Sequence, residues 1–262
     1  MSEDETNWQI REERDERILS VGGKEYRTRY SARLIEKIIE RKGSARAPKY
    51  LAHKNVRAKF LEPLFERLNA TRKDLRVLEV GCSAGHITEY LNEQPSIGAV
   101  CAFDVDRAFV DITRMKVEEL GLEKVERVDH LTSRQTTDLP YADRSFDLIV
   151  VLAVVEHLPV ENRWAYVDEY YRKVKSGGLV AFWETPNRAW PFETHSIGLP
   201  GVQWLPPQWA FSYARTFKKS YRQITFSEFM RPGSGWRNAA YGELLPKTLT
   251  LDVRDVSDET GY

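Results

Sequence analysis

Residues 79–85 read Glu-Val-Gly-Cys-Ser-Ala-Gly, and their types and spacing suit the binding of a small ligand. Glycines at 81 and 85 let a ligand approach the main chain without meeting a Cβ. Asp104 lies 23 residues beyond Gly81, where a carboxylate is placed to accept hydrogen bonds from ribose hydroxyls; Asp106 is the second choice. The elements needed to position these groups are legible around them. Leu75 to Val80 is a short apolar run of the kind that forms a buried parallel strand. Ile87 to Leu91 begins a helical pattern, and a helix N-terminus offers free N–H groups to a polar ligand. Strand, glycine turn and helix together make a nucleotide-type binding corner. The dinucleotide pattern G-x-G-x-x-G fails here, because Ser83 and His86 occupy its second and third glycine positions.

Three further segments follow in order. Ala99 to Phe103 is a second apolar strand ending in Asp104. Asp138-Leu-Pro-Tyr-Ala-Asp-Arg-Ser-Phe-Asp147 precedes an apolar run, Leu148 to Leu152, and then Ala-Val-Val-Glu-His-Leu158. Val174-Lys-Ser-Gly-Gly178 leads into Leu179-Val-Ala-Phe-Trp183. With the E-x-G-C-x-x-G turn, these four motifs over residues 75–187 resemble those of the class I S-adenosylmethionine (SAM)-dependent methyltransferases. Ser176 and Gln135 depart from the family's usual Pro and Asp.

The resemblance implies an α/β, Rossmann-like, doubly wound and mostly parallel seven-stranded sheet, with N-terminal helices and a lid insertion after strand five. It implies SAM as cofactor, bound by Glu79, Gly81, Cys82, Ser83 and Gly85 at the turn and by Asp104 and Val105 at the ribose. Gln135 and Thr136 fall at the adenine, and Leu152, Ala153 and His157 at the end of the fourth strand. A helix leading into strand one commonly packs beside the pocket in this family, which brings Tyr50 towards the site. Independently of the family, alternating strand and helix patterns between Leu75 and Pro186 imply right-handed crossovers and a ligand at the carboxyl ends of the strands.

Composition agrees. A chain of 262 residues accommodates one α/β domain with additions. Formal net charge is zero, which argues against nucleic acid as a partner. Cys82 and Cys101 show neither disulfide nor metal spacing, and no metal is expected. No apolar stretch approaches membrane-spanning length, and the acidic start has no signal-peptide core, so the plain reading is cytoplasmic. Residues 1–46 read as a charged helical leader, in part disordered, with a stripe of Ile35, Ile38 and Ile39. Residues 47–262 read as the SAM-dependent domain, with an insertion at 186–247. Residues 186–211 hold five of the chain's twelve prolines and three of its seven tryptophans, as lids and binding loops do.

SAM carries an already activated methyl group, so the protein must align a nucleophile and, for a hydroxyl, accept its proton. His195 and His157 are the candidate acceptors. Tyr50, Glu156, Asn187, Trp190, Glu193 and His195 are the candidate substrate contacts. The expected activity is methyl transfer to an O or N nucleophile of a small-molecule or glycan-type substrate. Residues 200–247 hold seven Lys/Arg against two Asp/Glu, which suggests that the substrate is anionic. The alternative is a methyltransferase-fold binding or scaffold protein without chemistry.

Overall fold

The structure is a computed structural model that describes residues 8–51, 58–158, 163–183, 205, 207–216 and 250–253. The chain divides into two compact units, residues 1–135 and 136–262.

The first unit begins with three antiparallel strands, β1 (Trp8–Glu13), β2 (Glu16–Val21) and β3 (Lys24–Thr28). This segment reads as helical leader in the sequence, and the structure makes it a meander. The reason lies in the turns. Gly22 and Gly23 both adopt positive φ, the conformation of a two-residue type I′ hairpin. The interleaved Glu and Arg, which suit a solvated helix, instead pair between strands, as in Arg11–Glu25 at 3.0 Å and Arg27–Glu13 at 3.2 Å. Helix starts only at α1 (Ala32–Lys42), where the Ser31 hydroxyl accepts from the Leu34 amide. The isoleucine stripe is buried, together with Leu34. A 3-10 turn, Ala47–Tyr50, follows.

Helix α2 (Ala58–Thr71) leads into β4 (Leu75–Val80), α3 (His86–Asn92), β5 (Ile97–Asp104), α4 (Arg107–Leu120) and β6 (Val125–His130). The three strands are parallel with β5 central, pairing Val80 with Phe103 and Asp104 with His130. Helix α4 is capped by Asp106, whose carboxylate accepts from Ala108 and Phe109 amides, and closed by Gly121 in the left-handed region. One apolar core joins the meander and α1 to α4: Leu19, Tyr30, Leu34, Ile38, Phe109 and Ile112 pack together with Ala84 from the glycine turn.

In the second unit β7 (Phe146–Leu152) and β8 (Val174–Trp183) are parallel, flanking α5 (Arg163–Lys173) in sequence, and β9 (Thr250–Val253) runs antiparallel to β8. Phe146 pairs with Val174 and Leu148 with Leu179, so Lys175–Gly178 forms an excursion in the ladder. Gly178 has no alternative there: a Cβ would sit 2.6 Å from Val174 Cγ2 and 3.0 Å from the Asp147 carbonyl. Helix α6 (Pro207–Thr216) lies within the expected insertion. The described residues thus supply three parallel strands in the first unit, and two parallel strands with one antiparallel strand in the second. No helix among them is long and apolar enough to cross a membrane.

Candidate functional site

The glycine turn is held by its own amides. Gly81 and Cys82 N–H both donate to the Phe103 carbonyl, Gly85 N–H donates to the Cys82 carbonyl, and Ser83 N–H donates to Asp104 Oδ2 at 2.8 Å. Gly81, Ser83 and Gly85 all take the left-handed conformation, at φ 73°, 49° and 72°. For Ser83 that conformation costs about 1–2 kcal/mol. A phosphate-binding turn works by presenting free N–H groups to the anion. Four amides of this turn are already committed within the protein, so it is not a phosphate cradle. It suits a cofactor without phosphate at that point, and the residues present fit SAM.

Residues 78–182 match the methyltransferase domain family. Methyltransferases are among its sequence relatives. The methyltransferase GfsG of Streptomyces halstedii is 32% identical over 46% of this chain and 41% of its own length. The malonyl-[acyl-carrier protein] O-methyltransferase of Enterobacter lignolyticus is 27% identical over 52% of this chain and 49% of its own. The chain therefore spans less than half the length of these two relatives. A solved protein from Pyrococcus horikoshii shares the fold at a TM-score of 0.54 with 16% identity, covering 75% of this chain and 89% of its own.

Around the methyltransferase turn, Asp104 closes β5 with its carboxylate accepting one N–H on each oxygen, from Ser83 and from Asp106. Each oxygen keeps a second lone pair. Burial pushes this carboxyl above its ordinary value, against the lowering effect of those N–H bonds. Asp106 is committed elsewhere. It caps α4 and pairs with the Arg41 guanidinium, which holds its carboxyl below the usual range. Val105 between them is 51% exposed. Gln135 opens a 3-10 turn, Gln135–Thr137, and its carbonyl oxygen accepts from both the amide and the hydroxyl of Thr132 at 2.9 Å.

Glu79 stands behind the turn. It is buried, accepts a 2.6 Å bond from the Thr88 hydroxyl, and burial pushes its carboxyl up to about 8. Cys82 is buried too, and burial raises its thiol well above the ordinary value. Tyr50 is brought to the start of α3. Its carbonyl lies 2.7 Å from His86 Nε2 and its ring 5.5 Å from the imidazole.

In the second unit, Thr136 and Leu152 are buried, and Ala153 takes a left-handed φ of 51° at the end of β7. His157 and Glu156 share the 3-10 turn Val155–His157, where His157 is exposed. Asn187, Trp190, Glu193 and His195 lie outside the described residues. No group of three or more His, Cys, Asp or Glu that could hold a metal occurs among the described residues.

Sequence reading passed over a second layer beneath the turn. Glu89 of α3 accepts from Tyr30 Oη at 2.8 Å, pairs with Arg29, and faces Lys116 Nζ at 3.5 Å. The Lys116 ammonium also lies 4.5 Å from the Tyr30 ring centroid. Burial drives this lysine down to about 8 against the pull of Glu89. Lys42 rests its ammonium over Phe109 and Tyr50, 4.2 and 4.8 Å from the ring centroids. The signals were present as isolated charges in apolar helix stripes, at Glu89 and Lys116. Their partners Arg29 and Tyr30 come from the link between β3 and α1, which sequence patterning did not reveal.

Proposed function

We propose that the protein transfers the methyl group of SAM to an O or N nucleophile of a small-molecule or sugar-like substrate bearing an anionic group. The observation that carries the cofactor half of this reading is the inward commitment of the turn amides beside Asp104. In this reading Asp104 accepts from the ribose hydroxyls with its remaining lone pairs. Val105 is proposed to lie beside the ribose, and Gln135 with Thr136 to contact the adenine. Leu152 and Ala153 are proposed as further cofactor contacts.

SAM supplies an activated methyl on a sulfonium, so the protein's own work is alignment and proton removal. His195 is proposed as the proton acceptor, with His157 as the second choice. Glu156, Asn187, Trp190 and Glu193, with Tyr50, are proposed to hold the substrate. Residues 186–211 are proposed to close over it. The proposed anionic group rests on the basic bias of residues 200–247.

Calorimetry with SAM, its demethylated product and NAD tests the first half: the first two should bind and the third should not. Asp104→Ala should weaken SAM by roughly 30- to 150-fold, the equivalent of losing about 2–3 kcal/mol of charge-assisted hydrogen bonding. A larger loss in Asp106→Ala would move the ribose contact to that residue. SAM binding with no methyl transfer to any hydroxyl or amine acceptor would favour the scaffold alternative.

A further inference from the structure

Ser83 is the one residue of the cofactor turn held in the left-handed region without being glycine. Its peptide groups are gripped from two different elements. On one side its N–H donates to Asp104 at the end of β5, at 2.8 Å. On the other its carbonyl accepts from the hydroxyl of Thr113 in α4, at 2.7 Å. Thr113 has no exposed surface and stands two helical turns into α4, away from any ligand. It also sets the shape of the turn at its far end. A Cβ on Gly85 would lie 3.0 Å from Thr113 Cγ2 and 3.1 Å from its Oγ1. One buried threonine therefore meets both Ser83 and Gly85.

We infer that Thr113 is a positioning residue for cofactor binding: with Asp104 it clamps Ser83 in a conformation the serine would otherwise leave. A non-glycine residue persists in this region only where its surroundings over-determine it. The clamp fixes both peptide planes at Ser83, so the backbone the cofactor meets is set before it arrives. Glycine adopts the same conformation at little cost and would not need the second grip. The clamp is thus a property of this chain's serine, and its importance should vanish when the serine does.

The inference rests on the cofactor reading above, and its test separates the two. Thr113→Val keeps shape and volume but removes the donor. It should weaken SAM by roughly 5- to 10-fold, as the loss of one hydrogen bond predicts, while Thr113→Ser stays within about 2-fold of the parent. In a Ser83→Gly background the same Thr113→Val change should cost less than about 2-fold. A structural role alone would weaken both backgrounds equally, and equal losses would overturn the clamp. Amide hydrogen exchange at Ser83 without ligand gives an independent arm. It should quicken in Thr113→Val and hold in Thr113→Ser. If Thr113→Val does not fold, Thr113→Ala in both backgrounds takes its place, with the same expectation. Absence of SAM binding by the parent protein would refute the cofactor reading and leave the exchange arm to decide the clamp. Unchanged exchange at Ser83 in Thr113→Val would sink the clamp whatever the cofactor.

Discussion

Two buried lysines, one in each unit, are treated in opposite ways. Lys173, at the end of α5, donates to the Tyr141 carbonyl at 2.7 Å and to Asp143 at 2.8 Å, with Glu169 at 3.4 Å. It fastens the segment 139–145 that leads into β7, alongside Glu169, which accepts the Leu139 amide at 2.7 Å. Lys116, beneath the glycine turn, has Glu89 at 3.5 Å and the face of Tyr30 at 4.5 Å. A buried ammonium needs close, directed acceptors to offset its lost hydration. Lys173 has them and acts as a rivet. Lys116 has one close carboxylate among the described residues, Glu89, which it shares with Arg29 and Tyr30, and a weaker pull from Glu79. The charge balance under the cofactor turn therefore hangs on Glu89, whereas in the second unit it is spread over several groups.

Removing the shared carboxylate should give the largest effect. Glu89→Gln leaves Lys116 buried with only the weaker pull of Glu79 to oppose its charge and should cost about 3–5 kcal/mol in chemical denaturation. Glu169→Gln leaves Lys173 its two closer acceptors and should cost about 1–3 kcal/mol. Equal losses would erase the contrast between the lysines.

Next in size is a pH effect confined to the turn side. The folded protein holds the Glu79 proton up to about 8, well above its ordinary value, so from about pH 5 to 8 the unfolded chain binds fewer protons than the folded one. Stability should fall through that window, by on the order of a few kcal/mol. Lys116 is lowered to about 8. Above that pH the unfolded chain binds more protons there, and part of the loss should return. Glu79→Gln should flatten the decline in thermal midpoint between pH 5 and 8. A decline that persists unchanged in Glu79→Gln would place its origin elsewhere.

The smallest test compares backbone positions. Gly178→Ala forces a methyl into the Val174 side chain and the Asp147 carbonyl and should cost about 1–3 kcal/mol. Gly121→Ala meets nothing within 4 Å but keeps a φ of +60°, so about 1 kcal/mol of strain is expected. Denaturation midpoints that rank Gly121→Ala below Gly178→Ala would refute the packing argument.

How much was legible follows from the range of the forces involved. Strands β4, β5, β7 and β8 and helices α3 to α5 announce themselves because each buries an apolar run or stripe whose period is local. The turn at 81–85 and Asp104 are legible because left-handed backbone and strand-end carboxylates leave marks in residue type and spacing. The meander is not legible because its Glu and Arg residues satisfy helical pairing and cross-strand pairing alike; only the Gly22-Gly23 turn separates the two.

By itself, then, the sequence determined the alternating α/β order, the position of the cofactor turn and the carboxylate beside it. Tertiary structure alone decided that Asp106 caps a helix and pairs with Arg41, that Gln135 spends its carbonyl on Thr132, and that Ser83 is gripped by Thr113. It also decided that a leader dense in charge supplies Tyr30 to Glu89, 59 residues away. Residue type fixes what a group is able to bond. Which bond it makes depends on partners brought close by burial of the core, and that proximity is written in no local pattern.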